Sequence, residues 1–203
     1  MFLIHRESKY RPVMNLSAPK GFSFNDSIDK TSMEKVRMAT ARMIAHAIVR
    51  KGKGCYLSKI DQKDAYKAIP IKLSHLKLQG FRWLSQLFIE AFLVFGAASA
   101  VITFDNFHRA VLDIMIALAN PEPNSVYHCL DDVVFVTTTR EANKVLVDTY
   151  KELSCKINIS LASESNPNKA FSFATKGKVL GVTFDTVLQT WSLDQDKVND
   201  FSC

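Results

Sequence analysis

The 203 residues are 47% hydrophobic and 23% charged, which excludes a disordered polymer and allows a sizeable core, as one domain or one domain plus a lobe. The four cysteines (Cys55, Cys129, Cys155, Cys203) form no CxxC pair, so neither a disulfide frame nor a zinc site is expected; free thiols suit an intracellular compartment, cytoplasm or nucleus. The net charge of +6 is uneven: residues 1–83 hold 17 Lys/Arg against 6 Asp/Glu and residues 84–203 hold 9 against 14, which fits either a polyanion partner or a solvated basic face.

In chain order, MFLIHRESKYR turns charged too early for a signal-peptide core. KYRPVMNL (9–16) predicts a short strand, with Pro12 at an edge or strand start, and SAPKGFSFNDS (17–27) a loop. Thr31 with Glu34 forms a capping box, and Val36, Thr40, Met43, Ile44, Ala47 and Ile48 share a helical face, so a helix is expected from Thr31 to the Gly52 stop. CYLSKID (55–61) predicts a strand, DAYKAIPI a turn and an extended piece, and 74–79 a short helix. GFRWLSQLFIEAF (80–92) suits a hairpin. AFLVFGAASAVITF (91–104) is too short to span a bilayer and is closed by Glu90 and Asp105. Residues 99–119 predict a helix with Phe104, Phe107, Val111, Ile114, Met115 and Leu118 on a core stripe. Two strands, 126–130 and 133–138, flank Asp131 and Asp132; a helix follows at 140–154, then a hairpin turning at Lys176-Gly177 and a last strand near 188–193. Helices mixed with antiparallel strands give the class α+β.

HCLDDVVFV (128–136) sets two adjacent aspartates in an apolar run. Buried side by side they are costly, because each loses water and repels the other. A hairpin tip lets the flanks bury while Asp131 and Asp132 protrude. A divalent cation would turn the repulsion into coordination; a merely solvated turn is the alternative. SKIDQKDAY places Asp61 at a strand end, with Asp64 one turn on and Lys59 and Lys63 nearby. Should the two strands lie side by side, three carboxylates converge, as two-metal phosphoryl transfer requires.

The order of these motifs resembles a retroelement reverse transcriptase, closest to DIRS-type and related LTR-like elements. The likeness runs through YRPVMNLSAPKGFSFNDSI, LSKIDQKDAYKAIPI, LQGFRWLSQLFIEAFLVFGAASAVITF, HCLDDVVFV and KVLGVTFDTVLQTWSL, about residues 9–200. It implies a polymerase palm with a ferredoxin-like antiparallel sheet and helices on one face, plus a partial fingers subdomain. Residues 1–54 and 70–92 would be fingers, 55–69 and 93–186 palm, and 187–203 the palm end and start of a thumb. It implies an RNA-directed DNA polymerase that transfers nucleotides from dNTPs to a primer 3′-hydroxyl with two Mg2+ ions (Mn2+ as a substitute) on an RNA or DNA template. Asp61, Asp131 and Asp132 would be catalytic and metal-binding. Arg11 would meet the triphosphate, helped by Arg6 and Lys9; Gln62 would offer its backbone carbonyl to metal; Tyr66 would exclude a 2′-hydroxyl; Phe95 and Gly96 would line the nucleotide pocket. No membrane partner is expected, and thumb and ribonuclease H regions are expected elsewhere in a parent polyprotein. Cys129, Val94, Ala97, Ala98 and Val101 depart from the family pattern. They motivate the alternative, a degenerate nucleic-acid-binding remnant without catalysis.

Overall fold

The computed structural model describes residues 2–6, 9–31 and 33–193, with side chains from Val13 onward. In chain order its elements are β1 (Phe2–Arg6), β2 (Lys9–Val13), α1 (Ala41–Lys51), β3 (Tyr56–Asp61), β4 (Gly80–Trp83), β5 (Gln86–Ile89) and α2 (Ala100–Ala119). There follow β6 (Val126–Cys129), β7 (Asp132–Thr137), α3 (Arg140–Lys156), β8 (Phe171–Ala174), β9 (Lys176–Val179), β10 (Val182–Asp185) and β11 (Thr190–Leu193). Two compact units result, one of residues 1–36 and 64–107, the other of 37–63 and 108–203.

The first unit holds two antiparallel hairpins, β1–β2 and β4–β5. The second turns at Leu84 and Ser85, both at positive φ (47° and 63°), the backbone that matches the twist of paired strands. Short 3-10 turns occupy Phe24–Ser27, Ala65–Ala68 and Leu73–Gln79. Ser23 and Asp26 cap the first of these reciprocally.

The second unit is built on a four-stranded sheet of order β6-β7-β3-β8, antiparallel throughout. The sequence β3-α2-β6-β7-α3-β8 on that order is the split βαβ, ferredoxin-like arrangement. Period-two alternation sends Leu57, Lys59 and Asp61 of β3 to one face and Ser58, Ile60 and Gln62 to the other. On the first face Leu57, Val134 and Val136 pack with Ile44, Ala47 and Ile48 of α1 and with Val179, Val182 and Phe184. Burying each such aliphatic side chain contributes about 1.5–3 kcal/mol. On the second face α3 lies against β3, β7 and β8, and its Asn143 donates to the Tyr56 carbonyl at 3.2 Å.

Two local expectations are corrected. The helix expected from Thr31 begins at Ala41, where Thr40 accepts from Met43 N–H. Ala39 N–H is committed to the His128 carbonyl at 2.8 Å, so the backbone before Thr40 belongs to the sheet edge. Thr31 instead closes a turn on Asp29. The hairpin expected to turn at Lys176-Gly177 turns at Leu180-Gly181, both at positive φ. Gly177 sits within β9 because the Phe171 ring lies against it: an added Cβ would meet Phe171 Cζ at 2.3 Å. The other expected helices and strands form within a few residues of their expected bounds. Among the described residues Cys55, Cys129 and Cys155 are free thiols, and no helix is long and apolar enough to cross a membrane.

Candidate active site

The acidic hairpin closes with a two-residue loop, Leu130-Asp131, between the paired residues Cys129 and Asp132. Asp131 therefore lies in the turn, whereas Asp132 is the first rung of β7 rather than part of the tip. Leu130 takes φ +54°, a backbone that costs a leucine energy. In the β3–β7 register Asp61 stands directly opposite Asp132. Directly opposed residues share a face with Cβ atoms about 4.5–5.5 Å apart. Gln62 N–H donates to the Asp131 carbonyl at 2.9 Å, tying the end of β3 to the turn. The two acidic motifs, 70 positions apart in the sequence, thus meet at one end of the sheet.

Two lysines hold this cluster. Lys169 Nζ donates to Asp61 Oδ2 at 3.0 Å, and Asp61 is only 7% exposed. Lys59, itself buried, lies 3.2 Å from Asp132 Oδ1 and donates to the Asn168 carbonyl at 3.2 Å. Burial pushes the Asp132 carboxyl up to about 6; Lys59 pulls it back, and Asp131 and Asp61 add repulsion. Burial also raises Asp131, with Asp61 adding to it and Lys169 and Lys59 opposing. Lys169 is raised by its bond to Asp61. Three carboxylates face two ammonium groups, and burial first, with mutual repulsion added, raises Asp131 and Asp132.

Among the described residues no group of three His, Cys, Asp or Glu is drawn together tightly enough to hold a metal ion. The lysines sit on two of the three carboxylates in this conformation. The donor set nevertheless fits magnesium, a hard cation that takes one or two carboxylates and fills its octahedron with water and phosphate.

The remaining predicted residues lie in the first unit. Tyr66 has its ring 5.9 Å from Phe95, edge to face, and 5.4 Å from Phe104. Phe95 is largely exposed, and Gly96 follows at φ +102°, a conformation that favours glycine. Asn25 clamps this turn: its Nδ2 donates to the Gly96 carbonyl at 2.9 Å and its Oδ1 accepts from Ala98 N–H at 2.8 Å. Arg11 belongs to β2, opposite Ile4, and its side chain lies outside the described residues, as do those of Arg6 and Lys9. Tyr66, Phe95 and Gly96 therefore gather in one unit, and Asp61, Gln62, Asp131 and Asp132 in the other.

Sequence reasoning missed Asn25 and Lys169 and gave Lys59 no role. Lys59 was findable, because it stands two residues before Asp61 and period two puts both on one face. Asn25 and Lys169 act across 71 and 108 positions of sequence, and no local pattern marks them.

The family model described as "Reverse transcriptase (RNA-dependent DNA polymerase)" matches residues 5–184. No curated protein matches the chain. Among solved structures, the foamy viral protease-reverse transcriptase in complex with double-stranded DNA aligns with TM-score 0.74 at 13% identity, covering 98% of this chain and 31% of that one. The same foamy viral protein in complex with an RNA/DNA hybrid aligns with TM-score 0.63 at 15% identity, over 89% of this chain and 22% of that one. Apo telomerase from Candida tropicalis, truncated from its C-terminal domain, aligns with TM-score 0.55 at 12% identity, over 77% and 40%. The chain thus spans about a third or less of the foamy viral chains it matches here, and the likeness at these identities is one of fold.

Proposed function

The chain belongs to the reverse transcriptase family, and we propose that it copies RNA into DNA by adding deoxynucleotides to a primer 3′-hydroxyl. The observation that carries this reading is the pairing of Asp61 with Asp132 beside Asp131, three coupled carboxylates at one end of an antiparallel sheet. Asp61 and Asp131 would hold two Mg2+ ions, or Mn2+ in their place, with Asp132 in support and the Gln62 carbonyl as a further oxygen donor. When bound, magnesium sharpens the primer hydroxyl as a nucleophile and neutralises charge on the leaving pyrophosphate.

The chain's own residues supply position and charge. Lys169 and Lys59 offset part of the acidic charge at this end of the sheet. Tyr66, Phe95 and Gly96 are assigned to the deoxyribose pocket, where the bulk of Tyr66 would reject a 2′-hydroxyl. Arg11 is assigned to the triphosphate, where a guanidinium fork matches phosphate oxygens. Residues 1–54 and 70–92 are assigned to fingers, 55–69 and 93–186 to palm, and 187–203 to the palm end and thumb start. The basic balance of residues 1–83 supports a template–primer partner. So do the double-stranded DNA and RNA/DNA hybrid carried by the foamy viral structures.

Primer extension tests the proposal. Purified protein with a primed RNA template, dNTPs and Mg2+ is expected to give product that Asp61→Asn does not. Salt-sensitive binding of template–primer without extension would instead identify a binding remnant.

A further inference from the structure

Behind the acidic hairpin runs a chain of buried polar side chains to which the reaction above gives no role. His108 of α2 is fully buried, with Nδ1 2.6 Å from the Leu130 carbonyl and Nε2 2.9 Å from the Tyr150 hydroxyl. A carbonyl only accepts, so Nδ1 donates to it, and Nε2 can accept from the Tyr150 hydroxyl. Gln62 Nε2 donates to the same tyrosine oxygen at 2.7 Å. Every bond from Leu130 through His108 and Tyr150 to Gln62 thus has one consistent direction. Aromatic rings wall the chain: His128 stands edge-on 5.1 Å from His108, and Phe135 lies 6.2 Å from Tyr150.

The ends of this chain fall on residues adjacent in sequence to the acids. Leu130 precedes Asp131, and Gln62 follows Asp61. Leu130 holds the left-handed backbone of a two-residue hairpin turn, as Leu180 does. The bond from His108 adds a tertiary anchor to the Leu130 carbonyl. For packing alone, apolar side chains at 108 and 150 fill a core more cheaply than three polar groups that must all be satisfied.

We propose that His108, Tyr150 and Gln62 are positioning residues, whose hydrogen-bond chain sets the spacing of the Asp61 and Asp131 carboxylates and so their affinity for divalent cations. The proposal rests on reading those aspartates as the metal-binding pair. Partners that orient metal ligands from behind typically change metal affinity or activity by about 10–100-fold.

The test compares His108→Leu, which removes both bonds, His108→Asn, whose amide keeps a donor near the place of Nδ1, and Tyr150→Phe. Mn2+ binding by water-proton relaxation is read alongside thermal unfolding, with Asp61→Asn defining the site-bound fraction. His108→Leu is expected to weaken Asp61-dependent Mn2+ binding about 10-fold or more, with His108→Asn within about 3-fold of wild type. Tyr150→Phe, a change small enough to keep the fold, is expected to weaken it by about 3–10-fold. In primer extension the same loss is expected in kcat and not in KM for the dNTP. Nitrogen-15 spectra are expected to show His108 as the neutral tautomer protonated on Nδ1. Folded Tyr150→Phe with wild-type Mn2+ affinity, or a loss in His108→Leu that His108→Asn does not restore, would overturn the proposal. Wild-type protein with no Asp61-dependent Mn2+ binding would sink the reading of the aspartates first, and the positioning role with it.

Discussion

The hairpins β6–β7 and β9–β10 close alike and serve different ends. Each turns on two residues, the first a leucine in the left-handed region, Leu130 at +54° and Leu180 at +51°. In β9–β10 the second loop residue is Gly181 at +79°, and the flanking Val179 and Val182 sink into the core beneath α1. In β6–β7 the second residue is Asp131, and the flank that matches Val182 is Asp132, held by Lys59. One loop spends its positions on packing, whereas the other gives up packing and raises two carboxyl groups. Turn geometry therefore does not ask for the acids; the proposed metal-binding role does.

Substitutions at the two turns should separate chemistry from stability. Asp131→Asn is expected to lower primer extension by roughly 1,000-fold, about 4 kcal/mol of transition-state stabilisation, with little change in melting temperature. Equal loss of fold and activity would contradict this. Gly181→Ala should do the reverse. A side chain at φ +79° costs about 1–2 kcal/mol, visible in denaturant melts, while activity per folded molecule is unchanged.

Asp132 sharpens the contrast through pH. Burial holds its folded-state carboxyl up at about 6, above the ordinary aspartate range. The folded protein thus holds this proton more tightly than the unfolded chain. The group's contribution to folding is fully present below about pH 4 and is lost as pH rises through about 6. Asp132→Asn has no such proton. With a chelator present, wild-type stability relative to this variant should fall by up to about 3 kcal/mol between about pH 4 and pH 7. A difference that stays flat would show that burial does not raise Asp132. The smallest effect is expected at Gly177→Ala. The Phe171 ring must move to admit the methyl group, costing about 1 kcal/mol with no effect on catalysis.

The parts of the fold written locally were legible in the sequence. The apolar runs around Asp61 and around Asp131 and Asp132 gave the strands, and the Phe104–Met115 stripe gave α2. Where local signals competed with long-range ones, the long-range ones won. The Thr31 capping box is sound chemistry, yet the backbone bond from Ala39 to His128 delays the helix to Ala41. Lys176-Gly177 has turn chemistry, yet Gly177 is needed where the Phe171 ring approaches the backbone. The same division runs through the site. Acidic residues at strand ends announce themselves, because a buried carboxylate needs a reason. Lys169 and the bonds of His108 and Tyr150 are set only by folding, across 108 positions for Lys169 and 42 for the His108–Tyr150 bond.

The central claim is most directly tested by anomalous X-ray scattering from crystals grown with Mn2+, a template–primer and a non-hydrolysable dNTP. The account predicts two peaks shared by Asp61 and Asp131, with Lys169 moved off the Asp61 carboxylate. Peaks elsewhere, or none while Lys169 stays on Asp61, would contradict it.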